Sequence, residues 1–269
     1  MTVLSDVGRL EAGLRESRDA GRKLLIPYVT GGLPGWERSI EACAAAGADA
    51  IEVGIPFSDP VIDGPTVQAA SERALAAGAT PQGIVSAFGG IETGGVPLVV
   101  MTYYNTIHRY GHERFAASLV EGGAAGAIVP DLPLEEVGPW AAAADEAGVE
   151  TVLLAAPTGS DERLTRICAR SRGFVYGIGV LGVTGERAEL ARSALTIARR
   201  LKSLTDKPVL IGIGVSNRAQ AAEVAEVADG VVVGSAVVRR LLDGGGPEAV
   251  GAFVADLRAG LDAGRSGAA

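Results

Sequence analysis

The sequence predicts an α/β protein folded as a single (β/α)8 barrel. Three observations carry that expectation. The chain has 269 residues, close to the roughly 250 typical of such barrels. A helical pattern ending in Gly or Ala is repeatedly followed by a short apolar run, as in Ala46-Gly47-Ala48-Asp49 before Ala50-Ile51-Glu52-Val53. Glycine after a helix supplies its left-handed end, and the short run suits a strand buried on both faces. Finally, eight such runs alternate with helices, which calls for parallel strands and right-handed crossovers. A doubly wound open sheet is the alternative, but it accounts less naturally for eight evenly used units.

Taken in order, the strands begin near Leu24, Ala50, Pro97, Gly126, Glu150, Phe174, Pro208 and Gly230. Periodic apolar positions predict helices over residues 36–46, 66–77, 111–121, 136–147, 161–171, 189–202 and 217–225. A further helix over 6–20 precedes the first strand, and one over 247–261 follows the last. The interval between the second and third strands is long enough for an extra helix, over 82–92. Residues 1–269 read as one domain, with the Gly/Ala-rich stretch 263–269 as a frayed tail.

Composition narrows the function classes. The net charge is −8, with no Lys/Arg cluster, which argues against nucleic-acid and anionic-membrane binding. His108 and His112 are the only histidines, too few for a His-rich metal site, and they read as loop residues after the third strand. Cys43 and Cys168 fall in apolar helical patterns and read as small buried hydrophobes. No apolar stretch is long enough for a membrane span and no secretory signal is visible, so the expected location is cytoplasmic.

Side chains of a barrel strand alternate between the interior and the helix layer. Ile51 and Val53 suit the helix layer, so Glu52 points inward near the mouth where barrel active sites lie. Burial there raises a carboxyl pKa toward a useful acid–base range. A structural Glu paired with a buried base is the alternative, but no basic partner stands at a neighbouring strand end. The stiff, proline-rich loop that follows, residues 55–65, carries Asp59 and Asp63 on the same face. Asp63, just before Gly64-Pro65 and a helix, also fits a plain turn former or helix cap. After the sixth strand, the glycine-rich run 177–185 suggests a mobile lid, and Tyr176 faces inward beside Phe174, as a substrate-facing phenol or a core tyrosine. The seventh and eighth strands end in Gly212-Ile213-Gly214-Val215-Ser216 and Gly234-Ser235, the positions where barrels bind phosphate through backbone amides and a helix N-terminus.

The string Ile51-Glu52-Val53-Gly54-Ile55-Pro56-Phe57-Ser58-Asp59-Pro60, with Asp63-Gly64-Pro65, closely resembles the signature of the tryptophan synthase alpha chain family. Further matches are Met101-Thr102-Tyr103-Tyr104-Asn105, Pro130-Asp131-Leu132-Pro133, Gly182-Val183-Thr184-Gly185 and the two glycine turns. The resemblance implies a barrel that cleaves indole-3-glycerol phosphate to indole and glyceraldehyde 3-phosphate. It implies Glu52 as the general acid/base and Asp63 as the partner of the indole N–H. Tyr28 and Tyr176 would line the site, and Gly185, Gly214, Gly234 and Ser235 would hold the phosphate. Asp59 and Thr184 would form a pair that closes the lid. No cofactor is implied on this chain, pyridoxal phosphate being expected on a beta chain in an α2β2 heterotetramer, with residues 56–60, Asn105 and Asp131 at the contact. A stand-alone lyase releasing indole and a non-catalytic phosphate-binding activator are the rival readings. Departures from the family pattern, at residues 177–181, Thr106 and Gly31-Gly32-Leu33, leave Glu52 and Asp63 untouched.

Overall fold

A computed structural model describes residues 7–179, 187–212 and 214–263. Eight strands, β1 (Leu24–Thr30), β2 (Ile51–Gly54), β3 (Leu98–Met101), β4 (Gly126–Ile128), β5 (Glu150–Ala155), β6 (Val175–Ile178), β7 (Val209–Gly212) and β8 (Gly230–Val233), close into a parallel barrel in sequence order. The last strand pairs with the first, Leu24 opposite Gly230 and Pro27 opposite Val233. Around it run α1 (Arg9–Asp19), α2 (Trp36–Ala45), α3 (Pro65–Ala76), α4 (Pro81–Ala87), α5 (Tyr104–Tyr110), α6 (His112–Gly122), α7 (Gly138–Ala147), α8 (Asp161–Arg170), α9 (Arg187–Leu204), α10 (Arg218–Ala225), α11 (Ser235–Leu242) and α12 (Gly246–Ala263). No described helix is long and apolar enough to cross a membrane.

Strand alternation builds two apolar cores. Leu24, Ile26, Val99, Ile128, Val152, Phe174, Leu210 and Val232 fill the barrel interior. Leu25, Val29, Ile51, Val53, Val100, Val209 and Val231 face the helices. Leu10 and Leu14 of α1 join the interior cluster, so the N-terminal helix plugs the lower mouth. Gly8, the residue ahead of α1, offers no side-chain cap. The cap comes instead from Glu150 at the start of β5, whose carboxylate accepts the Leu10 N–H at 2.7 Å and the Glu11 N–H at 3.0 Å. Two acids with buried side chains are tied by ion pairs: Asp49 takes Arg22 Nε at 2.7 Å and Arg258 at 3.3 Å, and Asp229 takes Lys202 Nζ at 2.8 Å.

Local signals account for several helix ends. Ser160, Thr80 and Asn217 cap α8, α4 and α10 through their side-chain oxygens. Gly123 and Gly148 end α6 and α7 in the left-handed region, at φ 86° and 82°.

Three expectations are corrected. His108 and His112 are not loop residues: they belong to α5 and α6, where both rings pack on Tyr104 and Tyr104 Oη lies 3.0 Å from His112 Nε2. Gly177 and Ile178 belong to β6 rather than to a lid, paired with Ile211 and Gly212. A Cβ on Gly177 would sit 2.4 Å from Ile211 Cδ1, so glycine here is a packing requirement of the strand. The extra helix after β2 is shorter than expected, α4 ending at Ala87 in a 3-10 turn over Phe88–Gly90. Thr184, Gly185, lid residues 180–183, Ile213 and tail residues 264–269 lie outside the described residues, whereas Ala263 ends α12.

Candidate active site

The upper mouth gathers Glu52, Asp63, Tyr28 and Tyr176. Glu52 is in β2, one pair across from Tyr28 in β1 and from Val99 in β3. It is 1% exposed, and its Oε2 has no hydrogen-bond partner among the described residues. Burial, reinforced by the nearby charge of Asp63, pushes its carboxyl up to about 8. A carboxyl in that state is protonated at neutral pH and can give up its proton when a base appears beside it.

Two phenols flank the acid. Tyr176 lies in the interior against Phe174, ring centroids 5.9 Å apart, and burial holds its hydroxyl well above the ordinary range. Tyr28 is buried and shifted the same way, by burial first. Both rings lie where a glycine leaves room. A Cβ on Gly54 would stand 1.9 Å from Tyr28 Oη, and one on Gly212 would stand 2.6 Å from Tyr176 Oη. Glycines at the ends of β2 and β7 are therefore clearance for these two phenols.

Asp63 is not a helix cap. Gly64 occupies the cap position of α3, with no side-chain hydrogen bond, while the Asp63 carbonyl accepts Gln68 Nε2 at 2.7 Å. Its carboxyl is half-buried and raised by burial, with the Tyr103 hydroxyl lowering it in opposition. Tyr103 went unassigned in the sequence. The signal available was its place two residues after β3, facing the loop that carries Asp63. Asp59, by contrast, is exposed and accepts the neighbouring Ser58 hydroxyl.

Opposite these acids stand the glycine turns. Gly214 adopts φ 70°, which an L side chain resists. Gly234 precedes α11 and carries no side-chain cap. The first helical bonds are made by Val237 and Val238 to the Gly234 carbonyl. The N–H groups of Ser235 and Ala236 come ahead of those bonds, at the positive end of the helix. That end accepts an anion without a Lys or Arg in the turn.

A proton-holding acid at the C-terminal mouth of a parallel eight-stranded barrel places the chain among the (β/α)8 enzymes. Comparison with known proteins narrows this. The family model described as tryptophan synthase alpha chain matches residues 14–252. The alpha chain of Streptomyces coelicolor is 47% identical over 264 residues, covering 95% of this chain and 97% of that one. The Thermobifida fusca alpha chain is 43% identical over 266 residues, covering 97% and 98%. Among solved structures, a Mycobacterium tuberculosis tryptophan synthase is 39% identical with a TM-score of 0.87, covering 95% of this chain and 99% of that one. The chain belongs to the tryptophan synthase alpha chain family, and is a lyase acting on indole-3-glycerol phosphate.

Proposed function

We propose that Glu52 and Asp63 divide the proton chemistry of this cleavage. Protonated Glu52 gives its proton to the indole carbon that bears the glycerol side chain. The ring becomes a cation, and ionised Asp63 accepts the indole N–H and offsets the charge. Glu52, now a carboxylate, takes the proton of the adjacent side-chain hydroxyl. The carbon–carbon bond breaks, its electrons return to the ring, and indole and glyceraldehyde 3-phosphate separate, with Glu52 protonated as it began. What carries this reading is the buried Glu52, its Oε2 without a partner among the described residues and its carboxyl raised by burial and by a second carboxylate, Asp63.

Tyr28 and Tyr176 line the apolar pocket for the ring. The amides at Gly214, Gly234 and Ser235, with Gly185, hold the phosphate, and Asp59 with Thr184 closes the lid. The chain works in the cytoplasm without a cofactor of its own, passing indole to a pyridoxal-phosphate-dependent beta chain in an α2β2 assembly. Asp131 supports that contact face by accepting the Tyr104 N–H at 2.8 Å, which fixes the start of α5 beside Asn105.

The test is indole release from indole-3-glycerol phosphate, with and without a tryptophan synthase beta chain. Slow release that the beta chain strongly accelerates is expected. Fast release with no acceleration would replace the partnered role with a stand-alone lyase. Acceleration of a beta chain with no cleavage by this chain would mark a non-catalytic activator.

A further inference from the structure

The proton chemistry above asks Asp63 to stay ionised and fixed although it sits on a loop, not on the barrel. Loops hold side chains less well than strands do. Residues 58–59 and 61–62 of this loop are exposed, Val61 by 77%. Something on the scaffold has to hold its far end.

Tyr103 meets that need. It stands two residues after β3, at the cap position of α5, and is 2% exposed, so its own position is set by the barrel. Its hydroxyl accepts the Ile62 N–H at 3.2 Å, one residue before Asp63. The same hydroxyl acts on the Asp63 carboxyl, lowering its pKa against the upward pull of burial. Its ring stacks on Phe57 near the loop's start, centroids 5.0 Å apart and planes 23° apart. One buried side chain thus touches the loop near its start, at Phe57, and at Ile62, the residue next to Asp63.

We propose that Tyr103 is a positioning residue for this reaction, holding the end of the loop that carries Asp63 in place through its hydroxyl. The proposal rests on the assignment of Asp63 as the partner of the indole N–H. Burial keeps the phenol protonated, pushed up to about 12, so it can donate to the carboxylate throughout the working pH range. A donor to the charged form of an acid favours that form, which opposes the upward pull of burial on Asp63.

Tyr103→Phe keeps the ring and its stacking and removes only the hydroxyl. Its kcat should fall about ten- to a hundredfold, as for loss of a hydrogen bond to a charged group. KM should change much less, because the phosphate and ring contacts remain. The Asp63 carboxyl, followed by carbon NMR, should titrate at higher pH in the variant. In an Asp63→Asn background the same substitution should cost little more, since the two residues act as a unit. Unchanged Asp63 titration, or an equal loss of kcat in the Asp63→Asn background, would overturn the proposal. Full activity of Asp63→Asn itself would instead overturn the role of Asp63, a separate result. If the phenylalanine variant misfolds by circular dichroism, Phe57→Leu removes the stacking and leaves the hydroxyl. Asp63 should then titrate as in the parent, and a shift there as large as a misfolded chain would give counts against the hydroxyl as the cause.

Discussion

Replacing Glu52 by glutamine should make the protein a worse enzyme and a more stable one. The shape is kept and the proton is lost. Removing a positioned general acid/base lowers kcat by about 10²- to 10⁴-fold. The stability effect follows from the same burial. A carboxyl raised from 4.5 to about 8 holds its proton more tightly in the folded chain than in the unfolded one. The folded state is therefore favoured below pH 4.5, loses stability as pH rises to about 8, and is level above that. At roughly 1.4 kcal/mol per pKa unit, the full loss is on the order of 5 kcal/mol, an upper figure for a fully buried group. Glutamine carries no charge at any pH and escapes it. Urea denaturation of parent and Glu52→Gln at pH 4.5 and pH 9 should show nearly equal stabilities at the acid end and a variant several kcal/mol more stable at the alkaline end. The parent's kcat/KM should also decline through pH 8, as the acid form disappears. Turnover by Glu52→Gln within tenfold of the parent, or a stability difference that ignores pH, would refute the reasoning.

Other substitutions test other contacts. Gly234→Asp places a negative charge at the start of α11 and should weaken binding of indole-3-glycerol phosphate by about tenfold or more through repulsion, measured as a raised KM or by calorimetry with glycerol 3-phosphate. Gly54→Ala puts a Cβ 1.9 Å from the Tyr28 hydroxyl, so overpacking should cost about 1–3 kcal/mol in denaturation and disturb the pocket wall. Glu150→Ala strips α1 of its only carboxylate cap among the described residues and should cost about 1–2 kcal/mol, with hydrogen exchange rising first at Leu10 and Glu11.

The barrel was legible because it repeats: each strand is a short run with its partner core written in alternation, and Glu52 stood out as an acid on an inward face of its strand. The failures had a common cause. α5 has β-branched and aromatic residues with a single buried side chain, Ile107, and little helical preference of its own. It forms where Asp131, from another loop, takes the Tyr104 N–H. Gly177 read as a loop glycine because the side chain that demands its smallness, Ile211, belongs to the next strand. Asp63 could be a cap or a functional acid until its side chain was seen turned toward Tyr103. That pairing joins a loop to a strand end across the mouth, and no local pattern encodes it.

The helix that plugs the barrel floor also sets an order of events during synthesis. α1 leaves the ribosome ahead of its partners: Glu150 and the interior residues Phe174, Leu210 and Val232 that share a core with Leu10 and Leu14 are translated much later. At about 5–20 residues per second, the wait for Glu150 alone is roughly 7–30 s. Through that interval a helix with two uncovered leucines has no floor to seal. A segment made before the barrel is thus among the last to dock, and the nascent chain must stay soluble with that apolar stripe in water.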